Sequence, residues 1–288
     1  MSRSDFAVFI LTHGRPDRVI TYATLRKQGY TGPIWIVIDD EDKTAQQYRE
    51  RFGDAVLTFS KAEIAATFDE GDNFGDRRAI IYARNACFDL ARKVGARWFV
   101  QFDDDYLRLQ YRRDAELRYT TIAMQNADAM FDALIEYAES TNLSAVCLSQ
   151  GGDHIGGAPS SYNKHGVIAR RKAMNTFLCT TDRPFQFYGR INEDVNLYTC
   201  GQRRGEVVFL TLMQAMIVQK QTQSSAGGMT GLYLDSGTYL KSFYSVLYAP
   251  SCVRIGVMGE AAVRLHHDIS WPHTAPKIVR EAVRKVAS

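Results

Sequence analysis

The chain has 288 residues, 45% of them hydrophobic and 11% aromatic, a composition that supports a large buried core and excludes disordered, collagen-like and low-complexity classes. Thirty-five Lys and Arg against 32 Asp and Glu leave a net charge of +3, too small to hold nucleic acid by bulk charge alone, although a local basic face stays open. No apolar run approaches the roughly 18 residues needed to span a bilayer, and Met1 to Gly14 lacks a secretory core and cleavage site, so a cytoplasmic location is expected.

Ala7 to Leu11 is a continuous apolar run suited to a buried strand, and it stops at Thr12-His13-Gly14-Arg15-Pro16 before an amphipathic stretch reaching Leu25. Ile34 to Ile38 repeats the pattern and ends in Asp39-Asp40-Glu41-Asp42. Two such strands joined by a helix make a βαβ unit whose ligand edge lies at the strand carboxyl ends. Ile80 to Val94 carries helical spacing, Gly95 stops it, and Trp98 to Phe102 forms a strand running straight into Asp103-Asp104-Asp105. A longer helix, with Ala123, Ala127, Met130, Phe131, Leu134, Ile135 and Ala138 on one face, leads to a strand at Ala145 to Leu148. Beyond it the pattern loosens: a strand-like stretch at Gly166 to Arg170, a short helix from Asn192 to Tyr198, strands resuming at Glu206 to Leu212, and a polar run from Gln219 to Thr230 that reads as a lid. No repeat or linker forces a second domain, so one continuous α/β domain over 1–288 is expected. The five cysteines, Cys87, Cys147, Cys179, Cys200 and Cys252, are odd in number and widely spaced, so small buried thiols are expected.

Three clusters carry chemistry. Adjacent carboxylates at Asp103-Asp104-Asp105 repel one another unless a cation neutralises them, and hard oxygen ligands suit Mg²⁺ or Mn²⁺ with open positions for a diphosphate. Arg264-Leu265-His266-His267-Asp268 supplies imidazoles that such a site could recruit. Asn192-Glu193-Asp194 opens a helix after a glycine turn, where acids either complement the dipole or take a proton from an attacking hydroxyl. His13, His154, His165 and His273 are isolated and receive no role.

Taken in order, these parts resemble a GT-A glycosyltransferase with a Rossmann-like sheet: Val8 to Arg15 is similar to its first strand and nucleotide loop, Ile34 to Asp40 to the second, Asp103-Asp104-Asp105 to its DxD motif, Asn192-Glu193-Asp194 to its xED motif, and His266 or His267 to its C-terminal metal histidine. Ala83 to Ala91, Glu193 to Leu197 and Ala226 to Thr230 narrow the resemblance to the TET-associated glycosyltransferases of bacteriophages, which are implied to sugar-modify 5-hydroxymethylpyrimidines in DNA. The resemblance implies a nucleotide-sugar-binding half over 1–105 and an acceptor-binding, catalytic half over 106–288. It implies a nucleoside diphosphate sugar, expected to be a UDP sugar, as donor, with Thr12, Arg15, Asp39, Asp40, Arg84, Asp103, Asp104, Gly227, Gly228 and Met229 around it. Mn²⁺ or Mg²⁺ would sit on Asp105 and Asp103 with His266 or His267. Asp194 would be the base, with Glu193 orienting the acceptor and inversion as the outcome.

The implied acceptor is 5-hydroxymethylcytosine in double-stranded phage DNA, inside an infected bacterial cell. Arg108, Arg112, Arg113 and Arg118 are interleaved with Tyr106, Tyr111 and Tyr119, and Arg170-Arg171-Lys172 and Arg203-Arg204 add basic patches. A polysaccharide, lipid or protein acceptor, or a silent module that only binds nucleotide sugar or DNA, stays open at this stage.

Overall fold

The computed structural model describes residues 3–72, 74–161, 163–205, 209–220, 240–258, 264–274, 278–281 and 284. Strand β1 (Phe6–Leu11) is buried along its whole length and pairs in parallel with β2 (Ile34–Asp39) on one side and β4 (Trp98–Asp103) on the other. β3 (Val56–Phe59) extends the parallel block beyond β2. These runs are largely apolar because the sheet is covered on both faces, with Thr58 and Gln101 as polar members and Asp39 and Asp103 at the carboxyl ends. Phe6, Val8, Ile10, Ile36, Val100 and Phe102 face one core with α1 (Ile20–Lys27) and α5 (Ala127–Thr141), while Ala7, Phe9, Leu11, Val37 and Phe99 face a second core with α4 (Ile81–Lys93). The helices α2 (Ala45–Phe52) and α3 (Lys61–Ala65) flank the β2 and β3 side.

The sheet continues past β4 as a mixed one, in the order β3-β2-β1-β4-β9-β7-β10-β5-β6. β7 (Ala145–Gln150) runs parallel to β10 (Phe209–Gln219), β9 (Phe177–Thr180) is antiparallel to both β4 and β7, and β8 (Val167–Ile168) pairs with β10. A separate two-stranded ribbon joins β11 (Val253–Met258) to β12 (Arg264–Ile269). The α/β architecture expected from the alternating runs, with helices flanking a Rossmann-like sheet, is therefore present.

The structure departs from the sequence reading in the segment rich in arginine and tyrosine. Residues 106–123 form a hairpin of β5 (Tyr106–Arg113) and β6 (Tyr119–Ala123) at the sheet edge, and α5 starts at Ala127, later than the first apolar position at Ala123. The side chain of Asn126 accepts the Ala129 N–H at 3.0 Å, which caps the helix there. Gln28, at the end of α1, locks the hairpin against the parallel block: its Nε2 donates to the carbonyls of Leu109 and Met124 at 2.7 and 2.9 Å, and its Oε1 accepts the Leu109 N–H at 2.7 Å. β10 also runs on to Gln219, beyond the expected strand end. All five cysteines are free and buried, as expected. Among the described residues no helix is long and apolar enough to cross a membrane.

Phe131 of α5 packs against Phe6, Tyr30 and Phe102, with ring centroids 4.9, 5.4 and 6.1 Å away. Phe131→Ala is expected to lower unfolding free energy by about 3–5 kcal/mol in denaturant titration, whereas truncating the exposed Leu247 should change it by no more than about 0.5 kcal/mol; equal effects would contradict this placement of the core.

Candidate active site

The carboxyl ends of β1, β2 and β4 gather the acids that the sequence singles out. Thr21 of α1 holds the turn after β4: its hydroxyl donates to the Asp103 carbonyl at 2.6 Å and accepts the Tyr106 N–H at 2.9 Å, and its own N–H reaches the Asp104 carbonyl at 3.1 Å. The Lys220 N–H, past the end of β10, donates to the Asp105 carbonyl at 3.0 Å. The three side chains of the triplet have different surroundings.

Asp104 is buried against the loop that follows β1. Thr12 donates its hydroxyl to Asp104 Oδ2 at 2.6 Å and Arg15 Nη2 lies 2.8 Å from Oδ1. Burial pushes this carboxyl up to about 6 even though Arg15 and Thr12 oppose the shift. The Tyr48 hydroxyl joins the same group, 2.8 Å from the Thr12 hydroxyl and accepting the Arg15 N–H at 2.9 Å. One strand away, Asp39 is gripped by His13 Nδ1 at 2.7 Å and Lys61 Nζ at 3.1 Å. Burial alone would raise Asp39, but its contacts with His13 and Lys61 hold it below the usual carboxylate range. Asp40 is exposed and accepts the Lys61 N–H at 2.9 Å. His13, given no role from sequence, thus belongs to this ionic group; its only signal was its place between an apolar strand and a glycine.

Asp103 faces the other way, into a cavity of about 650 Å³ that it lines together with Arg84, Glu193, Asp194, His266 and His267. Arg84 comes from α4 and is fully buried; its Nε donates to Glu193 Oε1 at 3.0 Å and its Nη2 lies 3.5 Å from Asp103 Oδ1. The rings of Phe177 and Phe187 lie 5.3 and 5.9 Å from the guanidinium carbon. Arg84 Nη1 is buried without a hydrogen-bond partner among the described residues. Burial pushes Asp103 up to about 7, against the pull of Arg84 and with the repulsion of Asp105 and Asp104. Glu193 is raised too, by burial first and by Asp194 next, with Arg84 opposing.

Glu193 and Asp194 begin the single-turn helix α6 (Glu193–Asn196), which the local backbone fixes. Gly189 has φ +79°, and a Cβ there would lie 2.2 Å from Asn196 Nδ2, so only glycine fits. Asn192 adopts the left-handed region at φ 58°, which short polar side chains tolerate. Its Nδ2 donates to the Lys241 carbonyl at 2.7 Å and the Ser245 hydroxyl at 3.2 Å and lies 3.5 Å from His267 Nδ1. The motif is thereby tied to helical residues 240–248 and to β12. Asp194 is partly exposed, and its Oδ1 accepts the Val195 N–H at 2.8 Å. The rings of His266 and His267 stand 4.2 Å apart. Burial, with His266 and Lys241 nearby, pushes His267 down to about 3, so its ring is neutral at physiological pH.

Several expected residues lie elsewhere. Thr12, Arg15, Asp39, Asp40, Asp104 and Asp105 do not line this cavity, and Gly227, Gly228 and Met229 lie outside the described residues. Among the expected nucleic-acid contacts, Arg108 and Arg170 are exposed. Arg112 stacks on Tyr119 at 4.5 Å and bonds to Thr121, and Arg113 donates to the Leu117 carbonyl at 2.7 Å and to that of Asn163. Arg171 instead lines the cavity, paired with Asp153 at 2.7 Å. Lys172, from the basic patch at Arg170-Arg171-Lys172, and Tyr198, from the helix after Asn192, line it as well, together with Lys241 and Trp271, which no motif in the sequence marks. Among the described residues no three of His, Cys, Asp and Glu stand together as a metal-holding group. The donors present still fit a hard divalent cation, because the carboxyl of Asp103 shares a cavity with Asp194 and the neutral imidazole of His267, and a cation with few protein ligands fills its other positions with ligand oxygens.

A carboxyl raised in the folded state binds its proton more tightly than in the unfolded chain, so stability is lost as pH rises towards the folded value. Thermal stability without divalent cation is therefore expected to fall between pH 5 and pH 8 through Asp103 and Asp104, and Asp103→Asn should flatten much of that slope. An unchanged slope in the variant, followed by scanning calorimetry, would contradict the assignment.

No curated protein matches the chain. Its fold is similar to that of Staphylococcus aureus TarS 1-349 in complex with UDP, at 13% identity and a TM-score of 0.43 over 75% of this chain and 59% of that one, so the chain spans well under two thirds of that length. It is also similar to glucosyl-3-phosphoglycerate synthase from Mycobacterium tuberculosis in complex with Mn²⁺, UDP and phosphoglyceric acid, at 10% identity and a TM-score of 0.43 over 92% and 86% of the two chains. A family model described as TET-Associated Glycosyltransferase matches residues 6–228. The chain belongs to the TET-associated glycosyltransferase family.

Proposed function

We propose that the cavity beneath Arg84 transfers a sugar from a UDP sugar to the hydroxymethyl oxygen of 5-hydroxymethylcytosine in double-stranded phage DNA, with inversion at the anomeric carbon. The observation that carries this reading is the convergence of Asp103, Glu193 and Asp194 on one cavity, from β4 and α6, with a buried arginine between the first two.

The two acids of α6 are not equivalent. Glu193 is buried and ion-paired with Arg84 at 3.0 Å, which occupies it as a positioning group. Asp194 is partly exposed at the cavity wall, and a carboxylate there can accept the proton of an attacking hydroxyl. With Glu193 engaged, Asp194 is the acid of α6 left to take the acceptor hydroxyl's proton as that oxygen displaces the diphosphate directly. Among the described residues Arg84 Nη1 has no hydrogen-bond partner, and an anionic oxygen of the donor would satisfy it, since a buried N–H without a partner is costly. A Mn²⁺ or Mg²⁺ ion held by Asp103 and Asp105 with His266 or His267 would supply the positive charge that stabilises the departing diphosphate.

At the nucleoside end we assign the tips of β1 and β2, with Thr12, Arg15, Asp39, Asp40 and Asp104 shaping the loops that receive it. Gly227, Gly228 and Met229 are assigned to cover donor and acceptor. The acceptor base must leave the duplex stack to reach Asp194, at a cost of a few kcal/mol, with Arg108, Arg112, Arg113, Arg170 and Arg171 on the DNA side. The family description, which names glycosyl transfer and an association with TET enzymes, supports the hydroxymethyl acceptor.

Asp194→Asn keeps the shape of the site and removes the base. It is expected to lower transfer of labelled sugar to hydroxymethylated duplex by about 10²–10⁴-fold while UDP binding, measured by calorimetry, changes by less than about twofold. Full turnover by the variant contradicts the assignment of the base.

A further inference from the structure

The turn that launches Glu193 and Asp194 is strained at both ends. Gly189 has φ +79° and Asn192 has φ 58°, and a side chain in the left-handed region persists where its surroundings over-determine it. Two grips do so here. On one side, the N–H groups of Gly189 and Arg190 donate to the carbonyls of Asp69 and Glu70 at 2.8 and 2.7 Å. On the other, Asn192 Nδ2 bonds to Lys241 and Ser245 of helical residues 240–248, where Ile191 also packs against Tyr244 and Leu240. Asn196 closes the turn from within, its Nδ2 donating to the carbonyls of Tyr188 and Ile191 at 3.0 and 3.1 Å.

The side chain of Arg190 joins the two grips. It is buried, with Nε and Nη2 standing 2.9 and 2.8 Å from Asp72 Oδ2 and Nη1 3.3 Å from Asp76 Oδ2. Nη2 also donates to the Tyr244 hydroxyl at 3.2 Å. The segment that supplies the acids is itself fixed: the Tyr82 hydroxyl of α4 donates to Glu70, the Tyr248 hydroxyl donates to the Asp69 carbonyl at 3.1 Å, and a Cβ on Gly71 would stand 2.8 Å from that hydroxyl. The turn before Asp194 therefore leans on α4, the helix that also places Arg84. Arg190, Asp72, Asp76 and Tyr244 do not line the cavity, so this cation is not set to meet a substrate there. A buried ion pair adds little net stability over an apolar replacement, and the planar guanidinium fork fixes directions that an ammonium does not.

We infer that Arg190 is a positioning residue for sugar transfer: it spans the segment at Asp72 and Asp76 and the helix at Tyr244, holds the 189–192 turn in its strained form, and so aims Asp194 into the cavity. This rests on the reading of Asp194 as the base. Without the clamp, Asn192 is free to leave the left-handed region, and the start of α6 turns with it.

Arg190→Lys keeps a cation between Asp72 and Asp76 but cannot reach both acids and the hydroxyl in one plane, Tyr244→Phe removes one arm and no charge, and Phe131→Leu, in the other core, serves as the control for lost stability alone. Steady-state kinetics on hydroxymethylated duplex, UDP binding by calorimetry and amide hydrogen exchange across 189–198 are followed below the melting temperature of each variant. Arg190→Lys is expected to lower kcat by about 10–100-fold, since a misplacement of about 1 Å costs on that order, and Tyr244→Phe by about 3–10-fold. KM for duplex and Kd for UDP should change by less than about twofold, the pattern of a group that acts only in the transition state. Exchange should quicken across 189–198 in both variants, and Phe131→Leu should keep the wild-type kcat. Wild-type kcat in Arg190→Lys overturns the inference. So does a rise in UDP Kd that matches the fall in kcat, which would place Arg190 on the donor, and so does an equal fall in kcat from Phe131→Leu. A wild-type chain that transfers no sugar overturns the reading of Asp194 instead, and exchange then decides the clamp by itself: faster exchange confined to 189–198 upholds it, and an unchanged pattern overturns it.

Discussion

A guanidinium buried in an apolar interior is costly unless carboxylates meet it, and the site is arranged around that constraint. Arg84 is placed by α4, whose apolar face packs under β1 and β4, so the charge is presented beneath the carboxyl end of the sheet. There it is answered by Asp103, from β4, and by Glu193, from a segment far along the chain. The pairing draws α6 onto the sheet and sets Asp194 at the wall of the same cavity. Removing either carboxylate would leave part of the cation unanswered, and removing the cation would leave two acids in mutual repulsion.

The acid triplet at the end of β4 is divided between two tasks. Successive side chains of an extended strand point to opposite faces, and at the β4 terminus this sends Asp103 to the cavity and Asp104 to Thr12 and Arg15. Asp104 thereby ties the β1 loop to β4, while Asp103 keeps the cavity acidic. Thr21 holds the backbone of both, so the partition does not depend on the carboxylates alone. On the β2 side, Asp39 does for His13 and Lys61 what Asp104 does for Arg15.

Much of this frame was legible in the residues. β1, β2 and β4 read as strands because each is a nearly continuous apolar run, broken in β4 by Gln101 and ending in β2 and β4 at an acid, and α4 reads as a helix because Ile80, Arg84, Cys87 and Ala91 recur at helical spacing. That same spacing marks Arg84 as inward-facing, an oddity for arginine that signals a buried partner. The β5–β6 hairpin was read only as a basic, aromatic patch: Leu107, Leu109 and Tyr111 do alternate with Arg108, Gln110 and Arg112, but burial does not follow that alternation, since Leu107 is exposed and Gln110 is buried. The place of Lys241 was hidden for a different reason, since it depends on the contact between helical residues 240–248 and Asn192, a long-range bond with no local signature. The division of the acid triplet was equally invisible, because adjacent identical residues carry no sign of which neighbour each will meet.

The claim on which the account turns is that this cavity moves a sugar onto DNA. The direct measurement is mass spectrometry of nucleosides released from hydroxymethylated duplex after incubation with the protein, Mn²⁺ and a panel of sugar nucleotides. The account predicts that 5-hydroxymethylcytosine gains the mass of a sugar residue with a UDP sugar. Unmodified nucleosides across the whole panel would contradict it.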